Sequence, residues 1–288
     1  LCSMHSFIGG FYMSDFKVGD IVVRKSYGED IYFVITEINQ NNGGNPTYTL
    51  RGLFTRIEAD SSGTDLLKKN SRLVDETKKK FLQEANQTLA ARNLSRKING
   101  INRLQGRPGS ILHLDSSKEF LDICVNHYKS YEINCQGHTV PESQQPSVVR
   151  EMLEKYRPDI LIVTGHDGLK KGDVDLNSMD SYRTSRYFVQ SVIEARKYEP
   201  DKNKLCIFAG ACQSYFEALI KAGANFASSP GRVLIDCLDP SIVCEKVAIT
   251  DPRMIVTPWS VARLTKSGTK GIGGINTRGR LKPLTGSN

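Results

Sequence analysis

Ile160-Leu161-Ile162-Val163-Thr164-Gly165-His166-Asp167-Gly168 and Leu205-Cys206-Ile207-Phe208-Ala209-Gly210-Ala211-Cys212-Gln213-Ser214 are the two stretches on which the fold turns. Each is an apolar run of strand length that meets a glycine and then delivers one reactive residue, His166 in the first and Cys212 in the second. Unbroken apolar strands, as opposed to alternating ones, belong to parallel sheets covered by helices on both faces. In such sheets ligands bind beyond the carboxyl ends of the strands. Consecutive strands joined by one crossover helix would bring His166 and Cys212 to the same sheet edge.

The same alternation extends outward. A strand is expected at 110–114, a helix through about residue 128, a weaker strand near 131–135 and a helix at 147–156 that Arg157-Pro158 ends. After the strand at 159–164 come a helix at 181–197, a strand at 204–209, a helix at 215–222 and a strand around 232–235. Strand and helix in turn indicate an α/β domain, with a mostly parallel sheet flanked by helices, over 108–288. Upstream the pattern differs. Residues 14–60 read as short strands separated by turn chemistry, notably Gln40 to Pro46 (QNNGGNP), and suggest a small SH3-like β-barrel preceding the α/β sheet. The strands expected there include 48–53 and 55–59. Residues 61–107, with leucines scattered among Lys, Glu, Gln and Asn, read as a basic helical linker.

The 288 residues suffice for one large or two modest domains. No apolar run approaches the roughly 18 residues that span a bilayer. Residues 1–12 lack the basic and apolar regions of a signal peptide, and Met4 and Met13 both read as possible starts. The seven cysteines show no disulfide spacing, and Cys124, Cys206 and Cys244 sit inside apolar runs, which favours a reducing cytoplasm. The net charge of +8 collects in 64–107 and beyond Pro252, where seven Lys or Arg face no acid. Without a nucleic-acid reading motif this excess is expected to be solvated surface.

Local context separates Cys212 from the other cysteines. Ser214 and Glu217 have the spacing of a capping box, and Gly223 is placed to end the helix. Cys212 would then precede a helix N-terminus, where the dipole favours a thiolate and a nearby imidazolium would favour it further. The separation of 46 positions from His166 to Cys212, and the pair Ala211-Cys212, resemble the caspase and hemoglobinase-like cysteine proteases, whose His lies about 50 residues upstream. The usual Gly after the His is replaced by Asp167. The oxyanion donors suggested by the resemblance are the backbone N–H of Cys212 with that of Asp167 or Gly168.

A longer resemblance runs from Phe16 onward. Val18 to Tyr27 (VGDIVVRKSY), Tyr156 to Leu161 (YRPDIL), Thr164-Gly165-His166-Asp167, Phe208 to Ser214 (FAGACQS), Ala222 to Pro230 (AGANFASSP) and Gly273 to Gly279 (GGINTRG) are similar to the YabG family of sporulation-specific proteases. The resemblance implies spore coat and cortex proteins as partners, cleavage after basic residues, notably Arg, and a place in the mother-cell cytoplasm and then the spore coat. It implies no metal or other cofactor, and no membrane. An Arg side chain needs a carboxylate partner. The implied fold points to Asp115, at the end of the first strand, with Asp180 and Asp236 as alternatives; Asp115 also fits an N-cap. Ser228 and Ser229 are expected to line the same pocket or to cap a loop. Zinc spacing, a G-x-S-x-G serine motif, a dinucleotide fingerprint and a P-loop are all missing from the sequence. The competing reading is a non-catalytic protein that binds coat protein or nucleic acid through the barrel and basic surface.

Overall fold

The structure is a computed structural model that describes residues 16–40, 44–98, 106–172 and 174–283. Met4 and Met13 lie outside the described residues.

Strands β1 (Ile21–Arg24), β2 (Phe33–Asn39), β3 (Thr47–Gly52), β4 (Glu58–Ser62) and β5 (Leu66–Lys68) form an antiparallel sheet in the order β4-β3-β2-β1-β5. Its buried residues include Val22, Phe33, Ile35, Tyr48 and Leu50. The fifth strand lies beyond the expected boundary at residue 60, because the Lys68, Leu67 and Leu66 backbones pair with Val22, Val23 and Arg24. Residues 53–56, partly expected as strand, instead bend away between β3 and β4.

Helix α1 (Ser71–Ile98) is continuous and docked. Its Phe81, Ala85 and Leu89 pack with Phe120, Cys237, Leu238 and Ile242. The expected linker is therefore in part a packed element, since a four-residue spacing puts those three side chains on one stripe.

The main sheet has six strands in the order β13-β11-β10-β9-β7-β8. Strands β7 (Ile111–Asp115), β8 (Cys135–Thr139), β9 (Ile160–Thr164), β10 (Cys206–Ala209) and β11 (Phe226–Ser228) run parallel, and β13 (Ile272–Gly274) is antiparallel at the edge. Ile160, Ile162, Cys206 and Phe208 face α2 (Lys118–Ser130) and α6 (Asp239–Ala248). Leu161, Val163, Ile207 and Ala209 face α3 (Gln145–Tyr156) and α4 (Ser185–Tyr198). Full burial of such aliphatic side chains contributes about 1.5–3 kcal/mol each, which is why both faces of these strands are apolar. Helices α5 (Phe216–Ala222), α7 (Pro258–Ala262) and α8 (Gly268–Gly271) and two short ribbons complete the chain. The ribbons pair β6 (Gly106–Arg107) with β15 (Lys282–Pro283) and β12 (Ile255–Val256) with β14 (Thr277–Arg278).

Two strand expectations are corrected. The weaker strand begins at Cys135, after the turn that follows α2. The expected strand at 232–235 is a loop, and the fifth parallel strand is β11, whose Phe226 pairs with Phe208. Arg232 takes a left-handed φ of 54°, which breaks extension there. β7 has β8 on one side and β9 on the other, so chain order reverses at β7 and the ligand crevice opens at the ends of β7 and β9. No helix among the described residues is long and apolar enough to cross a membrane.

Candidate active site

At the end of β9, Thr164 Oγ1 donates to the Gly210 carbonyl at 2.8 Å, which ties the two strand ends together. A Cβ at Gly165 would displace the side-chain ends of Ser116 and Glu142, so glycine leaves both in place. The His166 N–H then donates to Glu142 Oε1 at 2.7 Å. The His166 ring accepts from Arg51 Nε through Nδ1 at 3.0 Å. Arginine only donates, so Nε2 carries the proton and gives it to the Gly52 carbonyl at 2.9 Å. Burial, and then the Arg51 charge, hold the His166 pKa well below its ordinary value. Arg51 is itself held by Glu142 Oε1 at 2.8 Å.

Asp167 occupies the position expected to be Gly. Its carboxylate accepts the N–H groups of Gly168 at 2.8 Å and Thr184 at 2.9 Å, and the hydroxyls of Ser185 and Ser214. Burial raises its pKa against these four donors. One carboxylate thus joins the β9 turn, the start of α4 and the Cys212 turn.

Cys212 follows β10 in a turn that side chains pin in place. Ser214 Oγ accepts the Ala211 N–H at 2.9 Å, and Ser228 Oγ donates to the Ala211 carbonyl at 2.7 Å. Ser229 Oγ accepts the Gln213 N–H at 3.0 Å and donates to the Val233 carbonyl. Ser228 and Ser229 therefore build the Cys212 turn, and their hydroxyls are turned to it and not to Asp115. The expected capping box is also replaced: Ser214 serves Asp167 and Ala211, while Tyr215 stands at the start of α5 with no side-chain cap. The sulfur of Cys212 accepts the Ile235 N–H at 3.3 Å, and burial pushes its pKa up to about 12. The expected thiolate is thus a thiol in this arrangement, since desolvation outweighs the Ile235 N–H and the Arg56 charge.

Across these two turns lies a guest from the N-terminal sheet. The Arg56 carbonyl accepts the backbone N–H of Cys212 and that of Asp167, both at 3.2 Å. Its guanidinium enters a closed pocket, where Nη1 lies 2.8 Å from Asp115 Oδ2 and both side chains are fully buried. Nη2 donates to the Cys237 carbonyl at 3.3 Å, and the Phe120 ring centroid lies 4.6 Å from the guanidinium carbon. Burial alone would raise the Asp115 pKa, but the Arg56 charge, His113 and the Ser117 N–H hold it well below the carboxylate range. Burial lowers the Arg56 pKa, but Asp115 together with the neighbouring Cys124 and Cys237 raises it on balance. The N-cap of α2 is Ser117, which frees Asp115 for the pocket. After Arg56, the Glu58 N–H donates to the Asp167 carbonyl at 2.9 Å, and a Cβ at Gly168 would strike the Glu58 carbonyl. Gly168 is thus needed for close passage, and its own N–H goes to the Asp167 carboxylate and not to the Arg56 carbonyl.

Of the remaining alternatives, Asp180 pairs with exposed Arg186 at 3.2 Å, and Asp236 lies 3.4 Å from Lys266. Sequence reasoning missed Arg51, Arg56 and Glu142. Nothing in 51–58 marks a loop aimed at residues far along the chain. Glu142, beside Pro141, carried only a weak turn signal. No cluster of His, Cys, Asp and Glu among the described residues has the makings of a metal site.

Comparison with known proteins adds the family. The model of the YabG peptidase U57 family matches residues 17–285. The sporulation-specific protease YabG of Bacillus subtilis (strain 168) is 39% identical over 284 residues, covering 93% of this chain and 97% of that protein. No solved structure matches. With a family match across nearly its whole length, the chain belongs to the YabG peptidase family, U57.

Proposed function

We propose that the chain is a cysteine endopeptidase that cuts after arginine. The observation that carries this reading is the seat of Arg56, with its side chain on Asp115 and its carbonyl on the N–H groups of Cys212 and Asp167. In a substrate the same carbonyl would be attacked by Cys212 Sγ. His166, its Nε2–H on a backbone carbonyl, has Nδ1 free to take the thiol proton once Arg51 leaves. It then protonates the leaving amine and assists water at the thioester. The two backbone donors would hold the oxyanion, each worth about 3–4 kcal/mol in the transition state. Asp115 selects Arg because burying that carboxylate without a cation is costly.

The sheet order, with β7 at the switch point and one antiparallel edge strand, supports a caspase/hemoglobinase-like domain. The N-terminal sheet supports an SH3-like module used for binding. The substrates we propose are spore coat and cortex proteins with basic cleavage sites, met first in the mother cell and then in the coat. The relative's description as a sporulation-specific protease supports that setting. The test is incubation of wild type and Cys212→Ala with Arg- and Lys-containing peptides, read by mass spectrometry. Cleavage after Arg by wild type alone is expected. Equal cleavage by both proteins, or cuts after acidic or apolar residues, would overturn the reading.

A further inference from the structure

The occupant of the pocket is part of the chain itself, and we infer that the Arg56–Ile57 peptide bond is the protein's own cleavage site, cut in cis. The inference rests on the cysteine-peptidase reading above. Three observations place this bond as a substrate and not merely as a neighbour. The Arg56 side chain fills the arginine pocket, with no exposure at either partner of its ion pair. The carbonyl of the bond to be cut accepts from both backbone donors. The chain beyond it continues along the site: Glu58 N–H binds the Asp167 carbonyl, and Arg183 pairs with Glu58 at 3.5 Å and with Asp60. A loop that merely packed against the sheet would have no reason to satisfy all three.

The same segment explains why the bond persists in this arrangement. Arg51, five residues earlier, covers His166 Nδ1 and is anchored to Glu142. Ile57 packs in one apolar cluster with Cys212 and Ile235, which keeps the sulfur dry and protonated. Cleavage therefore requires Arg51 to leave His166. The Cys212 proton then passes to Nδ1, sulfur bonds to the Arg56 carbonyl carbon, and the C–N bond to Ile57 breaks as that nitrogen takes the proton from His166. Water hydrolyses the thioester, leaving a carboxylate on Arg56, a free amino group on Ile57 and the thiol restored. Until the bond is cut, the segment excludes other substrates; afterwards residues 53–56 are tethered at one end only and can vacate the pocket.

The experiment follows the purified full chain by intact mass and N-terminal analysis, beside cleavage of an added Arg peptide. Wild type should acquire an N-terminus at Ile57, at a first-order rate unchanged over a hundredfold range of protein concentration. Activity on the peptide should rise in step with it. Cys212→Ala should stay intact, and Arg56→Gln should lose this cut while Arg56→Lys retains it at a lower rate. A wild-type protein that cleaves added Arg peptide at full rate from the start, with its Arg56–Ile57 bond intact, would overturn the inference and leave the peptidase reading standing. Wild type inactive on both bonds under conditions where it is folded would count against that reading instead. A rate that rises in proportion to concentration would overturn cleavage in cis.

Discussion

The carboxyl edge of the parallel sheet and the loop between β3 and β4 meet at one carbonyl oxygen, and they are built in opposite ways. The sheet edge is over-determined: Asp167 accepts four donors, and Ser214, Ser228 and Ser229 each hold part of the Cys212 turn. Residues 53–56 belong to no strand or helix; Arg56 reaches the site, while the Leu53 N–H on the Tyr32 carbonyl and the Phe54 ring against Tyr32 and Phe81 hold the rest of the loop. Clefts of about 370 and 390 Å³ flank this loop, one lined by Phe54, Thr55 and Leu234 and the other by Gly52, Leu53 and His166. A pinned receptor and a loop inserted into it are the two parts that a peptidase and its substrate supply.

The comparison breaks most completely at the sulfur. Cys212→Ala should lower turnover of an Arg peptide by about 10⁴-fold or more while leaving the urea midpoint nearly unchanged. Asp115→Asn acts on both regions at once. Selectivity for Arg over Gln peptides should fall by roughly 10³-fold, because the pocket loses the carboxylate that pairs with the cation. The uncleaved chain should also lose about 3–5 kcal/mol, since Arg56 is left buried and unpaired, a loss readable by urea denaturation of the Cys212→Ala background. Glu142→Gln acts on the receptor through the backbone of His166, and it also frees Arg51 of β3 from its anchor. A fall in kcat of about tenfold to a hundredfold is expected, with KM little changed and a shifted pH profile.

A smaller effect is set by pH. His166 is held neutral, so between its depressed folded pKa and the unfolded value of about 6.5 the unfolded chain binds more protons. Stability from this source is complete above pH 6.5 and is lost as pH falls below it, and His166→Gln should flatten the difference between urea midpoints at pH 7.5 and 5.5. Asp115, with its lowered pKa, weakens the chain only at more acid pH, below the ordinary carboxylate range. The smallest effect belongs to surface pairs remote from both regions. Arg150→Ala, which removes an exposed pair with Glu154, should leave stability and activity unchanged within error.

What could be read from the chain follows from the range of the interactions involved. The β9 and β10 runs announced themselves because burial on both faces leaves an unbroken apolar signature, and the glycine before each reactive residue marks the turn. The fifth parallel strand was harder: Phe226-Ala227-Ser228 is too short to stand out, whereas Val233-Leu234-Ile235 looks like a strand although Leu234 is exposed and only Ile235 is buried against Cys212. Ser214 and Glu217 have capping-box spacing, yet a buried carboxylate from another strand claimed the serine. The Cys212 pKa likewise depends on what covers it, and part of that cover comes from Ile57, far away in sequence just before β4. Arg56 was invisible for the same reason, since its partners are Asp115, Asp167 and Cys212, all distant in sequence.

The most direct measurement is labelling of the protein, once the Arg56 segment has left the pocket, with a peptidyl-arginine chloromethyl ketone followed by peptide mapping of all cysteines. Such a reagent needs both an arginine pocket and a nucleophile within reach of one carbonyl. The adduct should form on Cys212, should be lost in Asp115→Asn, and should be far slower with a leucine analogue. Label on Cys124, Cys237 or any other cysteine in place of Cys212, or equal reaction with the arginine and leucine reagents, would contradict the proposed site of His166, Cys212 and Asp115.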